Sequence, residues 1–350
     1  MTAEQDSWQS KDDFIAIPGG VRPKEKVHLI EPGSKISFQS EAILTDMAPV
    51  KTPPDTGDAN ADNRALIPGG YRPQSEVHVV EPGQLIDAGF VPEKTSSVGL
   101  APVTKQDLIS HLAIASKANW ITAAWWQNTS KTPIRSFRTT WIVPPEPTVK
   151  ASQLIYLFNG MQPALENQFQ TILQPVLQWG GTERDADGAL RTGQYWTVAS
   201  WLVPAGNGHA YHTPHTRVAP GDVLVGVMEL IGKSDGLFTY RCEFVGIPST
   251  SFWVDCMPEL VWCIQTLEAY ELSNPGTIPY NLKSPAEYPD CDRTAFTSID
   301  IQTDNPLSTL DWMPVNYVRE FPGYTQAIDD SSSTGEVDIF YGRGSAQAEG

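Results

Sequence analysis

Cysteine is scarce in this chain. Only Cys242, Cys256, Cys263 and Cys291 stand among 350 residues, and no two form a CxxC pair. That spacing excludes a zinc knuckle or a thioredoxin-type site. Three of the four fall within 22 positions on what read as neighbouring strands, so one disulfide or free buried thiols both fit. Basic residues are also few: 24 Lys and Arg against 41 Asp and Glu leave a net charge of −17 and a pI near 4.7. The chain therefore lacks the basic patches that a nucleic-acid or anionic-membrane partner requires. The acidity suits a self-repelling soluble surface, or work in an acidic medium where carboxylates are partly neutral. No apolar run is long enough to span a membrane. The opening MTAEQDSWQSKDDF is polar and acidic and holds no hydrophobic signal region. The GxSxG, HExxH and P-loop signatures are missing, which removes the readings of serine hydrolase, zincin and NTPase.

Tryptophan, by contrast, is abundant, with eleven residues. The segment from Arg138 to Pro204 reads RTTWIVPPEP, LIYLFNGMQP, TILQPVLQWGG and QYWTVASWLVP. These are short β-type runs punctuated by Pro and Gly and loaded with Trp, Gln and Asn. Such strands build a sheet with one packed face and one face of aromatics and amides. A face of that chemistry holds an extended polymer, either polypeptide or glycan, with Trp179, Trp196, Trp201 and Trp262 as candidate stacking rings. Strand alternation divides these rings between two faces, because Tyr195 and Trp201 have the opposite parity to Trp196.

A repeat opens the chain. FIAIPGGVRPKEKVHLIEPGSKISF starts at Phe14 and ALIPGGYRPQSEVHVVEPGQLIDAG at Ala65, with the IPGG motifs fifty residues apart. The shared skeleton IPGGxRPxxxVHxxEPG holds a Pro-Gly-Gly turn, a short strand around Val27-His28 or Val77-His78, and a second turn at Glu-Pro-Gly. One copy is too small to fold alone and two are too few for a solenoid. The copies read as two arms that dock on the main domain or on a protein partner. Residues 1–50 form the first arm, and residues 51–103 the second arm and its linker. Residues 104–118 form a short helix (TKQDLISHLAIASK has helical spacing), and residues 119–350 the main domain. Truncation at residue 100 is expected to leave a folded domain.

From Asn119 onward the pattern is β: WITAAWWQN, RSFRTTWIV, LIYLFNG, TILQPVLQW, YWTVASWLV, DVLVGVMELI, LFTYRCEFVG, ELVWCIQTLEAYEL, TAFTSIDIQT and EVDIFYG. Ten such runs between turn signals predict an all-β fold, a two-sheet antiparallel β-sandwich of jelly-roll or concanavalin-like type. The histidines of GHAYHTPHT, His209, His212 and His215, sit three apart, so a strand would aim successive rings to opposite faces. His28 and His78 recur without another ligand type beside them. No metal and no cofactor are expected.

The order TTWIVPPEP, FNG, ILQPVLQW, YWTVASWLVP and VAPGDVLVGVMEL, covering about Arg138 to Tyr270, resembles the glutamic peptidases (eqolisins). The resemblance implies a β-sandwich with a groove on one face, a secreted or extracellular setting, and acid endopeptidase activity. The family's catalytic glutamine falls on Gln174. Its glutamate lies in an AEWIVE-type motif that matches ELVWCIQTLEAYEL. Anchoring on Trp262 puts Val261 and Gln265 where the family has glutamates, and a shifted frame brings in Glu268, with Glu259 nearby. Asn159, Gln178 and Ser200 stand where the family's groove tends to carry acids. The resemblance thus implies Gln174 and Glu268 as a catalytic pair, with Asn159, Gln178, Trp179, Ser200 and Trp201 lining the groove. In such a pair a carboxylate acts as general base on water, and the amide donates to the developing oxyanion. The other reading is a non-catalytic binding module, a lectin or a degenerate relative of that family.

Overall fold

The computed structural model describes residues 14–17, 20–23, 64–90, 120–150, 153–165, 170–184, 190–204, 209–271, 282, 284–307, 309–318 and 321–343. The helix expected at 104–118 lies outside them. The chain divides into two compact units, Met1–Ala42 and Ile43–Gly350. In the first unit β1 (Phe14–Ile17) and β2 (Gly20–Pro23) form a hairpin with Ile17 opposite Gly20.

The second unit begins with the second repeat: β3 (Arg64–Ile67), β4 (Gly70–Pro73), β5 (Val77–Val79) and β6 (Leu85–Asp87). Then come β7 (Trp120–Gln127), β8 (Ile134–Ile142), β9 (Gln153–Pro163), β10 (Thr171–Trp179), β11 (Thr182–Arg184), β12 (Leu190–Thr192), β13 (Trp196–Pro204), β14 (Ala210–His212) and β15 (Thr216–Arg217). They are followed by β16 (Val223–Ser234), β17 (Leu237–Phe244), β18 (Ile247–Met257), β19 (Leu260–Glu271), β20 (Arg293–Thr303), β21 (Met313–Asn316), β22 (Tyr324–Asp329) and β23 (Gly335–Phe340). One sheet runs β21-β7-β19-β9-β10-β13-β14-β5, with β15 also on β13; the other runs β22-β23-β20-β8-β16-β17-β18-β6. The fold is an all-β sandwich.

Trp141, Met228, Tyr240 and Phe252 of the second sheet pack against Leu157, Leu173, Leu177 and Trp179 of the first, forming the core between the sheets. A second apolar cluster lies on the far face of the first sheet and includes Ile67, Tyr156, Phe158, Ile172, Val176, Trp201, Ile264 and Tyr270. Strands β9, β10 and β13 are thus buried on both faces, which is why LIYLF, TILQPVLQW and WTVASWLV read as continuous apolar runs. In β8, exposed Arg135, Arg138 and Ile142 interrupt buried Ile134, Phe137, Thr139 and Trp141, because only one face of that strand meets the core. The four cysteines are free thiols.

Two strand pairs depart from the antiparallel expectation. Strand β5 runs parallel to β14, with Ala210 opposite Val77, and β6 runs parallel to β18, with Trp253 opposite Leu85. Both belong to the second repeat, which adds one edge strand to each main sheet. Its described part, 64–90, shares its compact unit with the sandwich. Between the edges the segment is fixed by backbone bonds: Val80 N–H to His212 O (2.8 Å), Gly83 N–H to Ser251 O (2.7 Å), and Trp253 N–H to Gln84 O (2.9 Å). Val80 and Ile86 are buried between the sheets. The second repeat is a strap across the open side of the sandwich.

Candidate functional site

The outer face of the first sheet carries the candidate site. Gln174 lies on β10 between Ile172 and Val176, both members of the outer cluster, and is 1% exposed. Both its amide atoms are buried without a hydrogen-bond partner. Glu268 lies on β19 between Thr266 and Tyr270 and is fully buried. Its Oε1 accepts from Gly69 N–H at 2.9 Å and from the Tyr270 hydroxyl, while Oε2 is buried without a partner. Burial raises the Glu268 pKa to about 7 against the opposing effect of those two donors. The two side chains share a face because each keeps the parity of its apolar neighbours.

Register separates them. Glu268 pairs with Tyr156 of β9, and Tyr156 pairs with Gln178 of β10. Gln174 instead borders Gly160: a Cβ placed on Gly160 would lie 3.5 Å from the Gln174 Cβ. Gly160 in turn pairs with Ile264. So the Gln174 row ends at Ile264 and the Glu268 row ends at Gln178, four residues apart along the strand. At about 3.4 Å per residue and about 4.8 Å per strand, the two Cα atoms are roughly 16 Å apart. A water bridging both side chains does not fit that spacing. Glu259, the other carboxylate considered, is half-buried just before β19; burial raises its pKa and Lys233 opposes the rise.

The remaining sequence-derived residues divide by face. Gln178 keeps the parity of Gln174 and donates to Gly180 O at 2.8 Å. Trp201 belongs to the outer cluster but is 3% exposed, its ring stacked on His212 at 4.2 Å. Asn159, Ser200 and Trp179 face the interior of the sandwich instead. Asn159 donates to Gly226 O of β16 at 3.3 Å. Ser200 lies against the Cys242 thiol of β17. Trp179 packs on Trp196 in the core between the sheets, with the ring centroids 5.3 Å apart. Neither Trp179 nor Trp201 presents a free ring on which a sugar could stack.

What covers the outer face is the β3–β4 hairpin of the second repeat. Pro68 and Gly69 form its two-residue turn, with the proline ring fixing φ at the first position and Gly69 at φ +90° at the second. Ile67 is buried in the outer cluster. The Tyr156 hydroxyl donates to Leu66 O at 3.2 Å, and Arg72 Nη2 donates to Pro204 O at 2.8 Å. Burial, with a neighbouring Glu268 charge second, pushes the Tyr156 pKa well up, so its hydroxyl stays a donor. Tyr156 and Tyr270 were not singled out in the sequence. Tyr270 had a signal in parity, two residues from Glu268 on one strand, whereas Tyr156 is the cross-strand partner of Glu268 and only register brings it there.

No protein-family model matches the chain, and no curated protein matches it. Among solved structures, the chain is similar to Scytalido-glutamic peptidase. The form with a peptide-based transition-state analogue gives 16% identity and a TM-score of 0.39, covering 64% of this chain and 98% of that one. The form with a transition-state analogue inhibitor gives 17% and 0.39 over the same shares. SCP-B, a member of the eqolisin family in complex with the tripeptide Ala-Ile-His, gives 17% and 0.35, again over 64% and 98%. The similarity is distant.

At the edge of the face the strap meets β14 through histidines. His78 Nε2 lies 2.8 Å from His209 Nδ1, and the His78 ring is 5.3 Å from that of Tyr211. Burial first, and His209 second, lower the His78 pKa below 6.5. A base with a depressed native pKa contributes stability that is present above its unfolded value and is lost as pH falls below it. Acidification from about pH 7 to 5 is therefore expected to loosen β5 from β14. Amide exchange at Val79 and Val80, corrected for intrinsic rates, should rise in the unaltered chain and stay flatter in His78→Gln. Identical pH profiles for the two chains would refute this latch.

Proposed function

We propose that the chain is a non-catalytic polypeptide-binding module whose outer sheet face seats a β-hairpin. The observation that carries this reading is the seated β3–β4 hairpin. Its main chain is read at two points, the Gly69 N–H by Glu268 and the Leu66 carbonyl by Tyr156, while Ile67 enters the apolar cluster. Main-chain bonds supply affinity and the side-chain pocket supplies choice, as in other modes of extended-peptide recognition. A glycan partner gains no support here, because Trp201 and Trp262 are already packed.

The test uses a labelled peptide of residues 64–88 and the full chain carrying Gly69→Val, a substitution that strains the native turn. Fluorescence anisotropy should show saturable binding. Glu268→Ala in the same background should weaken it about tenfold, since it leaves the Gly69 N–H without its acceptor, which costs about 1–3 kcal/mol. Absence of saturable binding would remove the proposal.

A second reading, the acid endopeptidase with Gln174 and Glu268, is favoured by one observation: an unpartnered buried amide shares a face with a carboxyl whose pKa is raised to about 7. Glu268 would serve as base and Gln174 as oxyanion donor. The four-residue offset argues against their acting together on one water. The expected outcome is no cleavage of unfolded polypeptide from about pH 2 to 7, the span of carboxylate titration. Cleavage that disappears in Gln174→Ala would establish the peptidase instead.

A further inference from the structure

We infer that the outer-face groove has a second ligand built into the chain: the first repeat, Phe14–Phe38, is an alternative occupant of the seat that the second repeat fills. This rests on the reading of that face as a polypeptide-binding groove. The first observation is register. Strands β1 and β2 pair Phe14 with Pro23, Ile15 with Arg22, Ala16 with Val21 and Ile17 with Gly20. Strands β3 and β4 pair Arg64 with Pro73, Ala65 with Arg72, Leu66 with Tyr71 and Ile67 with Gly70. The two pairs of strands have the same frame, and both sequences read Pro-Gly between the paired segments.

The second observation is that the residues making the seat's contacts recur. Ile17 stands for the buried Ile67, Gly19 for the Gly69 that donates to Glu268, and Arg22 for the Arg72 that caps Pro204. His28 stands for the His78 that meets His209, and Ile36 for the buried Ile86. Where the residue differs, as Ala16 for Leu66, the seat uses a backbone carbonyl that any residue supplies. Lys35 in place of buried Leu85, and Lys26 in place of the Glu76 that faces Arg72, oppose docking.

Charge favours the exchange. Residues 14–38 hold Arg22, Lys24, Lys26 and Lys35 against Glu25 and Glu31, a net +2. Residues 64–88 hold Arg64 and Arg72 against Glu76, Glu81 and Asp87, a net −1. On a chain of net −17 the first repeat is the more strongly attracted of the two. The connection 39–63 is 25 residues long. A coil of 25 residues in general spans about 25–30 Å. Exchange between two copies uses the same contacts and is also of low cost.

Three full-length variants test the inference by thermal unfolding: Gly69→Val, Gly19→Val, and both together. Valine at position 69 must adopt φ near +90° and crowds Val203, so it weakens the seating of the β3–β4 hairpin while β5 and β6 stay paired. If the first repeat then takes the seat, Gly19→Val alone leaves the midpoint unchanged, and the double variant melts several degrees below Gly69→Val. Equal midpoints for Gly69→Val and the double variant overturn the inference. Where variants fail to fold, amide exchange at Val79 and Val80 of the unaltered chain is read with excess synthetic peptide. A peptide of residues 14–38 should speed that exchange several-fold, and the same peptide carrying Gly19→Val should not. If a peptide of residues 64–88 displaces the strap and the 14–38 peptide does not, the inference falls and the groove reading stands. If neither displaces it, both fall.

Discussion

Removing residues 64–90 is expected to unfold the sandwich. The strap buries Ile67, Val80, Leu85 and Ile86, and full burial of such side chains is worth about 1.5–3 kcal/mol each. Together they contribute roughly 6–12 kcal/mol, against a total stability of about 5–15 kcal/mol for a domain. The same cut would leave β14 and β18 as unpaired edges, and would strip Glu268 and Tyr156 of their main-chain partners at the hairpin. A chain beginning at Trp120 should therefore show a molten or strongly lowered transition by circular dichroism, whereas a chain beginning at Ile43 should keep the midpoint of the intact protein. A cooperative transition at the unaltered midpoint in the shorter chain would show that the strap is an accessory. The expectation from the sequence was that truncation at residue 100 is tolerated; the pairings of β5 and β6 give the opposite expectation, and this measurement decides between them.

The two expectations differ because of what a sequence pattern encodes. Period and turn chemistry are local, so TILQPVLQW was read as a strand and spans β10, Thr171–Trp179. The run IPSTSFWVDCM was not singled out, because Pro248 and three hydroxyl residues dilute its apolar content, yet it forms β18 between β17 and the strap. Parallel pairing of β5 and β6 is a tertiary choice that no motif within either strand announces. Faces follow from parity: Trp179 is an odd step from Gln174 on one strand, so the two point to opposite sides, and Trp179 lies in the core and not beside Gln174 in the groove that the resemblance implied. Register between strands is not legible in this way. Gln174 and Glu268 each sit on the outer face, but only the ladder through Tyr156 and Gly160 reveals the four-residue offset between them.

Glu268→Gln should stabilise the protein at pH 8 and leave it nearly unchanged at pH 4. The native carboxyl titrates near 7 instead of the ordinary 4.5, because burial disfavours its charge more than Gly69 and Tyr270 favour it. Below about pH 4.5 both native and unfolded carboxyls hold a proton and burial carries no ionisation cost. As pH rises toward 7 the unfolded group ionises while the native one keeps its proton, so stability declines; above 7 the difference is constant. A shift from 4.5 to about 7 at 1.36 kcal/mol per unit amounts to about 3 kcal/mol. Glutamine stays neutral, and its Oε1 accepts from the same Gly69 N–H and Tyr270 hydroxyl, so its stability should not fall through that window. The lowered pKa of His78 and the strongly lowered one of His215 act with the opposite sign below 6.5 and are common to both chains, so they cancel in the difference. Urea titrations of the two proteins at several values between about pH 4 and 8 measure that difference directly. A gap that stays constant across the range would mean that the Glu268 carboxyl titrates alike in the folded and unfolded chains and that the outer face under the hairpin is wet. A gap opening between about 4.5 and 7 would place a protonated carboxyl beneath Gly69, where it accepts the hairpin's N–H without the cost of burying a charge.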